Sequence, residues 1–337
     1  MISKRRERKD EHVENYLKTS DYNDTLFGDI YLDHNSLSDV NFDEIDTSIE
    51  FLGRKISMPL MVNAMTGGGE LSTDINEDLS SICKSLNIPM AVGSQAIGLE
   101  DTSAEESFSL IRDKDLVRIG NLGAERSLED FKDAAGMIDA HAIQVHLNVG
   151  QELFMPEGDK DFSGYYENIK NLRKKLDLPL IVKETGNGLS KEVCKKLIDA
   201  GINYLDVSGT GGTNFIEIED MRDFVSDYKE FYSWGIPTAK AIIDARSLSD
   251  DVFIIGSGGI KTAVDLAKAL IIGADMAAVS GEALRYLLLG SYEACYDYLK
   301  EMNKRLKITM ALLGVKNIEE LKKVDYKITG RLKELVD

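Results

Sequence analysis

The chain has 337 residues, with 40 Lys and Arg against 58 Asp and Glu, for a formal net charge of −18. That balance argues against nucleic acid as the main partner, because phosphate-backbone binding needs a cationic footprint. With 43% hydrophobic and 29% charged residues, the chain reads as globular, either two domains or one α/β barrel with extensions.

The basic start, Met1 to His12, is followed by no apolar h-region, so no signal peptide is expected. No stretch reaches the roughly 18 apolar residues of a membrane helix. Cys83, Cys194 and Cys295 lie far apart with no CxxC, which points to a reducing cytoplasm and no structural zinc.

In chain order, residues 1–57 read as an N-terminal arm of helix and loop. Eight short apolar runs follow, at 59–63, 89–93, 117–121, 142–148, 179–183, 204–208, 252–256 and 275–280. Their near-continuous apolarity suits strands covered on both faces, as in parallel sheets. Amphipathic stretches at 75–86, 166–176, 191–200 and 262–272 lie between them, with Gly201 and Gly273 where two helices should stop. Eight such alternations favour a (β/α)8 TIM barrel over residues 58–290, with an open doubly wound sheet as the alternative. Residues 291–337 read as a C-terminal helical extension. The longest connection, 209–251, is expected on the rim of the active site.

A barrel gathers its chemistry at the C-terminal strand ends. After run seven stands Gly256-Ser257-Gly258-Gly259-Ile260-Lys261, and after run eight Ser280-Gly281. Consecutive glycine turns leading into helices suit an oxyanion, the common phosphate site of barrels; ordinary turns are the alternative. Lys183 leaves the buried run 180–182 and calls for an anionic partner: a flavin ring, a substrate phosphate, or a carboxylate such as Glu184. His146, Asn148, Gln151 and Glu152 form the densest polar cluster, with Glu152 a hard oxygen donor suited to Mg2+. Five cations stand in the first nine residues, and Arg8-Lys9-Asp10-Glu11-His12 suits either a solvated helix start or a diphosphate clamp.

Together these stretches resemble the type II, FMN-dependent isopentenyl diphosphate isomerases. The likeness runs through Arg8 to His12, Met65-Thr66-Gly67-Gly68, His146-Leu147-Asn148 with Gln151-Glu152, Val182-Lys183-Glu184, 208–214, Trp234-Gly235 and 256–261. The resemblance implies an enzyme of isoprenoid biosynthesis that interconverts isopentenyl and dimethylallyl diphosphate. It would use reduced FMN as an acid/base group, with Mg2+ and with NADPH as reductant. Met65, Thr66, Gly67, Ser94, Asn121, Lys183, Ser208 and Thr213 would surround the flavin. Gly259, Ile260, Lys261, Ser280 and Gly281 would hold its phosphate. Arg8, Lys9, His12, Ser94, Gln95, Ala96 and Gln151 would meet the substrate, with Gln151, His146 and Asn148 catalytic and Glu152 on the metal. The arm is expected to order over the barrel mouth only when a diphosphate binds. A cytoplasmic homo-oligomer, tetramer or higher, with no nucleic-acid or membrane partner, is further implied. One departure stands out: some members carry a basic residue directly after Gly93-Ser94-Gln95, where this chain has Ala96. The runner-up is an FMN-dependent 2-hydroxy-acid oxidase or dehydrogenase-like barrel, although that class needs a His and Arg pair near run six, absent from 208–214. A non-catalytic flavin-binding barrel is the third reading.

Overall fold

The computed structural model describes residues 4–20, 23–112, 114–223 and 227–336, with side chains in the first helix described from Arg8 onward. The first residues of the basic start, on which the signal-peptide reading partly rests, lie outside these.

Each of the eight apolar runs forms a strand: β1 Leu60–Val62, β2 Met90–Ala91, β3 Arg118–Gly123, β4 Ala142–Leu147, β5 Leu180–Glu184, β6 Tyr204–Asp206, β7 Phe253–Ser257 and β8 Met276–Val279. They pair in parallel and in chain order, and β8 returns to β1, with Ala277 opposite Leu60 and Val279 opposite Val62. The sheet is a closed barrel, which removes the open-sheet alternative.

Side chains alternate across each strand. Leu60, Val62, Val182 and Leu205 face outward and join the large core under the helices. Met61, Ile119, Ile181, Ile255 and Met276 face inward and form a separate cluster. Two residues further along, the inward positions turn polar: Asn63, Asn121, Lys183 and Ser257. That change of character along one face creates a floor and a mouth.

Gly201 and Gly273 follow the helices Lys191–Asp199 and Ala263–Ile271 at φ +85° and +125°, conformations that favour glycine. The 209–251 connection carries a helix Phe215–Asp220, a 3₁₀ turn Lys229–Phe231 and a helix Thr238–Arg246.

The extensions hold more strand than expected. A hairpin, Ile49–Phe51 with Arg54–Ile56, closes the lower end of the barrel. Its Phe51 ring lies 5.1 Å from Phe253 and 6.3 Å from Tyr204. Ile30–Leu32 pairs antiparallel with Tyr326–Ile328, so the two extensions share a small sheet. Strands of three residues are too short to show a period of two, which is why the arm reads as helix and loop alone. Among the described residues, no helix is long and apolar enough to cross a membrane.

Candidate active site

A cavity opens at the C-terminal strand ends, roofed in part by the arm helix Lys4–Tyr16. Every candidate ligand or catalytic residue lines it except Gly67 and Gln95. Gln95 is fully buried behind the wall; its Nε2 donates to the Ala134 carbonyl at 2.8 Å and its Oε1 accepts from the Asn121 N–H at 3.0 Å. It braces β3 rather than a ligand. Gly67 is a packing glycine, since a Cβ there would lie 1.9 Å from Phe108.

At the phosphate end, Gly258 and Gly259 have φ of +100° and +73°, and a Cβ on them would meet the carbonyls of Gly209 and Gly211 at 2.0 and 2.3 Å. These glycines let the loops after β6 and β7 lie on one another. The helix after β7 is already capped by Thr262 and Asp265 in a capping box, so a carboxylate occupies its positive end. The helix Gly281–Leu289 after β8 has no side-chain cap at Ser280. One helix start, not two, is therefore open to an anion. Tyr16 of the arm covers this loop: a Cβ on Gly281 would lie 2.0 Å from its hydroxyl. Arg285, which the sequence reading missed, sits over the Tyr16 ring at 5.6 Å and lines the same end.

Lys183 is buried at the cavity floor, and its Nζ donates to the Glu184 main-chain carbonyl at 2.6 Å. The Glu184 carboxylate turns the other way. Its Oε2 accepts the backbone N–H groups of Thr185, Gly186, Asn187 and Gly188 in turn, and so folds the loop after β5 around itself. Glu184 is thus not the ion-pair partner of Lys183. Burial pushes the lysine's pKa down, while the Asp206 and Glu184 charges hold it up.

His146 stands opposite Lys183 in the register of β4 and β5. Burial, and then the charges of Lys183, Lys9 and Arg126, lower its pKa to about 3, so the ring is neutral near pH 7. The Asn121 amide nitrogen donates to the Val92 carbonyl at 3.3 Å, which leaves Asn121 Oδ1 facing His146 Nδ1 at 2.8 Å. Nδ1 therefore carries the proton and Nε2 is an acceptor.

The helix Val149–Phe154 presents Gln151 and Glu152 together. Glu152 accepts from Asn148 Nδ2 and from the Asp159 N–H, both at 2.8 Å, and burial raises its pKa. Gln151 Nε2 donates to Glu219 Oε1 at 2.9 Å, which leaves its carbonyl oxygen for a ligand. Glu219 has a fully buried side chain; His12 Nε2 lies 2.9 Å from it and Arg222 pairs with it at 2.5 Å. Despite burial, these partners hold Glu219 ionised, with a pKa lowered to about 2. Arg222 reaches on to Glu11 and Glu157, both at 2.8 Å, so the arm is fastened to the rim. Through these contacts the arm helix lies over the barrel mouth. Sequence reading missed Glu219 and Arg222, because an acid-rich stretch such as 215–220 reads as a solvated face. Arg126, paired with Glu100 at 2.7 Å, is a further cation of the cavity, beside the loop where Ala96 stands.

Among the described residues no three His, Cys, Asp or Glu gather as a metal cage. Glu152 offers one carboxylate, which suits Mg2+ only with substrate oxygens and water filling the rest of the shell.

The chain matches the family model of FMN-dependent dehydrogenases over residues 12–118 and 148–327. It is 40% identical over 330 residues to the isopentenyl-diphosphate delta-isomerase of Geobacillus sp. strain WCH70, covering 97% of this chain and 94% of that one. The enzyme of the same name from Sulfurisphaera tokodaii is 39% identical over 345 residues, with 98% and 93% covered. Among solved structures, a flavocytochrome b2 variant with pyruvate bound superposes with a TM-score of 0.74 at 20% identity, covering 96% of this chain and 84% of that one. A mandelate oxidase variant gives 0.67 at 16% identity, with 96% and 92% covered. These two likenesses speak to the fold alone.

Proposed function

The chain belongs to the isopentenyl-diphosphate delta-isomerase family of FMN-dependent barrels, and we propose that its cavity moves the double bond of isopentenyl diphosphate with FMN, Mg2+ and an NADPH-derived reducing equivalent. The residues present fit a flavin phosphate and ring. Loops stripped of Cβ atoms meet at Gly211, Gly258 and Gly259, an uncapped helix start stands at Ser280-Gly281, and a buried ammonium waits at Lys183. Gly259, Ile260, Lys261, Ser280 and Gly281 would take the phosphate. Met65, Thr66, Ser94, Asn121, Lys183, Ser208 and Thr213 would meet the ring. Reduced FMN supplies a group that gives and takes protons without being consumed.

The chain's own side chains do the rest. Arg8 and Lys9 of the arm, with His12, would clamp the diphosphate, and Glu152 would hold a Mg2+ beside it. Gln151, its nitrogen held by Glu219, would offer its carbonyl oxygen to the carbon skeleton. Neutral His146 and Asn148 complete the polar wall. Lys183 would supply positive charge to the ring, better suited to stabilising anionic character than to carrying protons. The observation that carries the reading is that one short helix turns Gln151 and Glu152 to the same cavity, each fixed by a different partner. The 2-hydroxy-acid oxidases share this fold, but no His and Arg pair stands in 208–214.

A single anaerobic reduction with dithionite should support many turnovers of isopentenyl diphosphate, with solvent deuterium entering the product. Reductant consumed one-for-one with product would refute the proposal and favour the oxidase class. We further take the protein to work in the cytoplasm as a homo-oligomer.

A further inference from the structure

We propose that Asp206 is a positioning residue that keeps the Lys183 ammonium charged at the cavity floor, from its place in a buried polar layer spanning the barrel. The inference rests on the FMN reading above. Lys183 of β5 and Asp206 of β6 stand opposite each other in the register, and both side chains point inward. They are 6% and 0% exposed. An ammonium so far from water sheds its proton unless a counter-charge stays beside it.

The titratable groups facing Lys183 are few. From β4 comes His146, which is neutral and offers no anion. On its own strand is Glu184, whose carboxylate is turned onto four backbone N–H groups. From β6 comes Asp206, and its charge is the first to oppose the burial of the lysine.

Asp206 cannot swing away. Its Oδ2 accepts from Asn63 Nδ2 at 2.6 Å, and its Oδ1 accepts from the Ser257 hydroxyl. Asn63 is held in turn, its Oδ1 accepting from Gln144 Nε2 at 2.8 Å. Strands β4, β6 and β7, with the residue that follows β1, thus contribute one layer. Its members Asn63 and Ser257 line the cavity beside Lys183, whereas Asp206 and Gln144 lie beneath it. A group one layer down acts on a ligand only through those above, and here it would set their charge and direction.

The test is Asp206→Asn, which keeps shape and removes charge. Flavin affinity of the apoprotein is read by FMN fluorescence quenching at about pH 7 and about pH 9. Wild type should bind with nearly equal affinity at both, since Lys183 stays charged. In the variant Lys183 should lose its proton within this range, and affinity should fall about tenfold or more between the two pH values, the effect of one charge. Equal pH dependence in the two proteins overturns the proposal. If the variant does not fold, the double variant Lys183→Met with Asp206→Asn decides. Recovery of fold and of pH-independent FMN binding supports a charge pair, and failure to recover makes Asp206 purely structural. Should wild type bind no flavin, the FMN reading fails separately. NMR titration of labelled lysine side chains in the apoprotein then still reads Lys183, expected charged at about pH 9 in wild type only.

Discussion

The two ends of the barrel are built from the same strands and do opposite things. At the lower end Phe51, Tyr204 and Phe253 pack ring against ring within 6.3 Å, closed by the hairpin. At the upper end Asp206, two residues beyond Tyr204, and Ser257, four beyond Phe253, point the same way and bond to each other. Every polar group placed there must find a partner, and a few do not: Gln144 Oε1 and Thr185 Oγ1 are buried without one. The lower end invests its inward positions in burial and holds the fold. The upper end gives that up for charge held in place.

If that division is right, the ends should respond separately. The largest effect should come from Phe51→Ala, which opens a cavity in the floor and costs about 3–5 kcal/mol of stability by denaturant unfolding. Flavin bound per folded molecule should stay the same; a parallel loss of flavin would show that the ends are not separable. Glu152→Gln should do the reverse, lowering kcat/KM about 100-fold while stability changes by about 1 kcal/mol or less. Raising Mg2+ should recover part of the activity, and a variant with wild-type activity at low Mg2+ would remove Glu152 from the metal.

His146 sharpens the comparison through pH. Unfolded, it takes a proton near its ordinary 6.5; folded, it resists until about 3. The unfolded chain therefore binds more protons below 6.5, so this residue's contribution falls by about 1.4 kcal/mol per pH unit on acidification and is flat above. His146→Asn should flatten that slope in unfolding curves taken between these limits. The smallest effect belongs to the rim: His12→Ala should raise KM for the diphosphate about tenfold or less and leave FMN affinity unchanged. Unchanged KM would return the arm to the role of a surface helix.

The barrel wall was legible in the sequence because two-sided burial leaves continuous apolar runs that survive without a partner in view. The mouth was legible by rule, since parallel closure puts the ends of all eight runs together. Alternation was the limit of that rule at Gln95, which neighbours the cavity residue Ser94 yet faces the other way. Glu219 and Arg222 were hidden for a different reason: what makes an acid in the stretch 215–220 special is its burial against His12 and Gln151, distant in sequence. The hairpin and the paired outer strands were too short to carry a period.

The pairing of Ile30–Leu32 with Tyr326–Ile328 has a consequence for synthesis. Thr329 N–H also donates to the Asp29 carbonyl at 2.9 Å, and Asn35 N–H to that of Leu312. A ribosome adding about 10 residues per second would need on the order of half a minute between making these two strands. For that interval the arm leaves the exit tunnel with its sheet partner still untranslated. The seam can close only late, because it joins segments nearly 300 residues apart, and such long-range contacts slow folding. Shortening the chain before Tyr326 should therefore act on the arm, nearly 300 residues upstream.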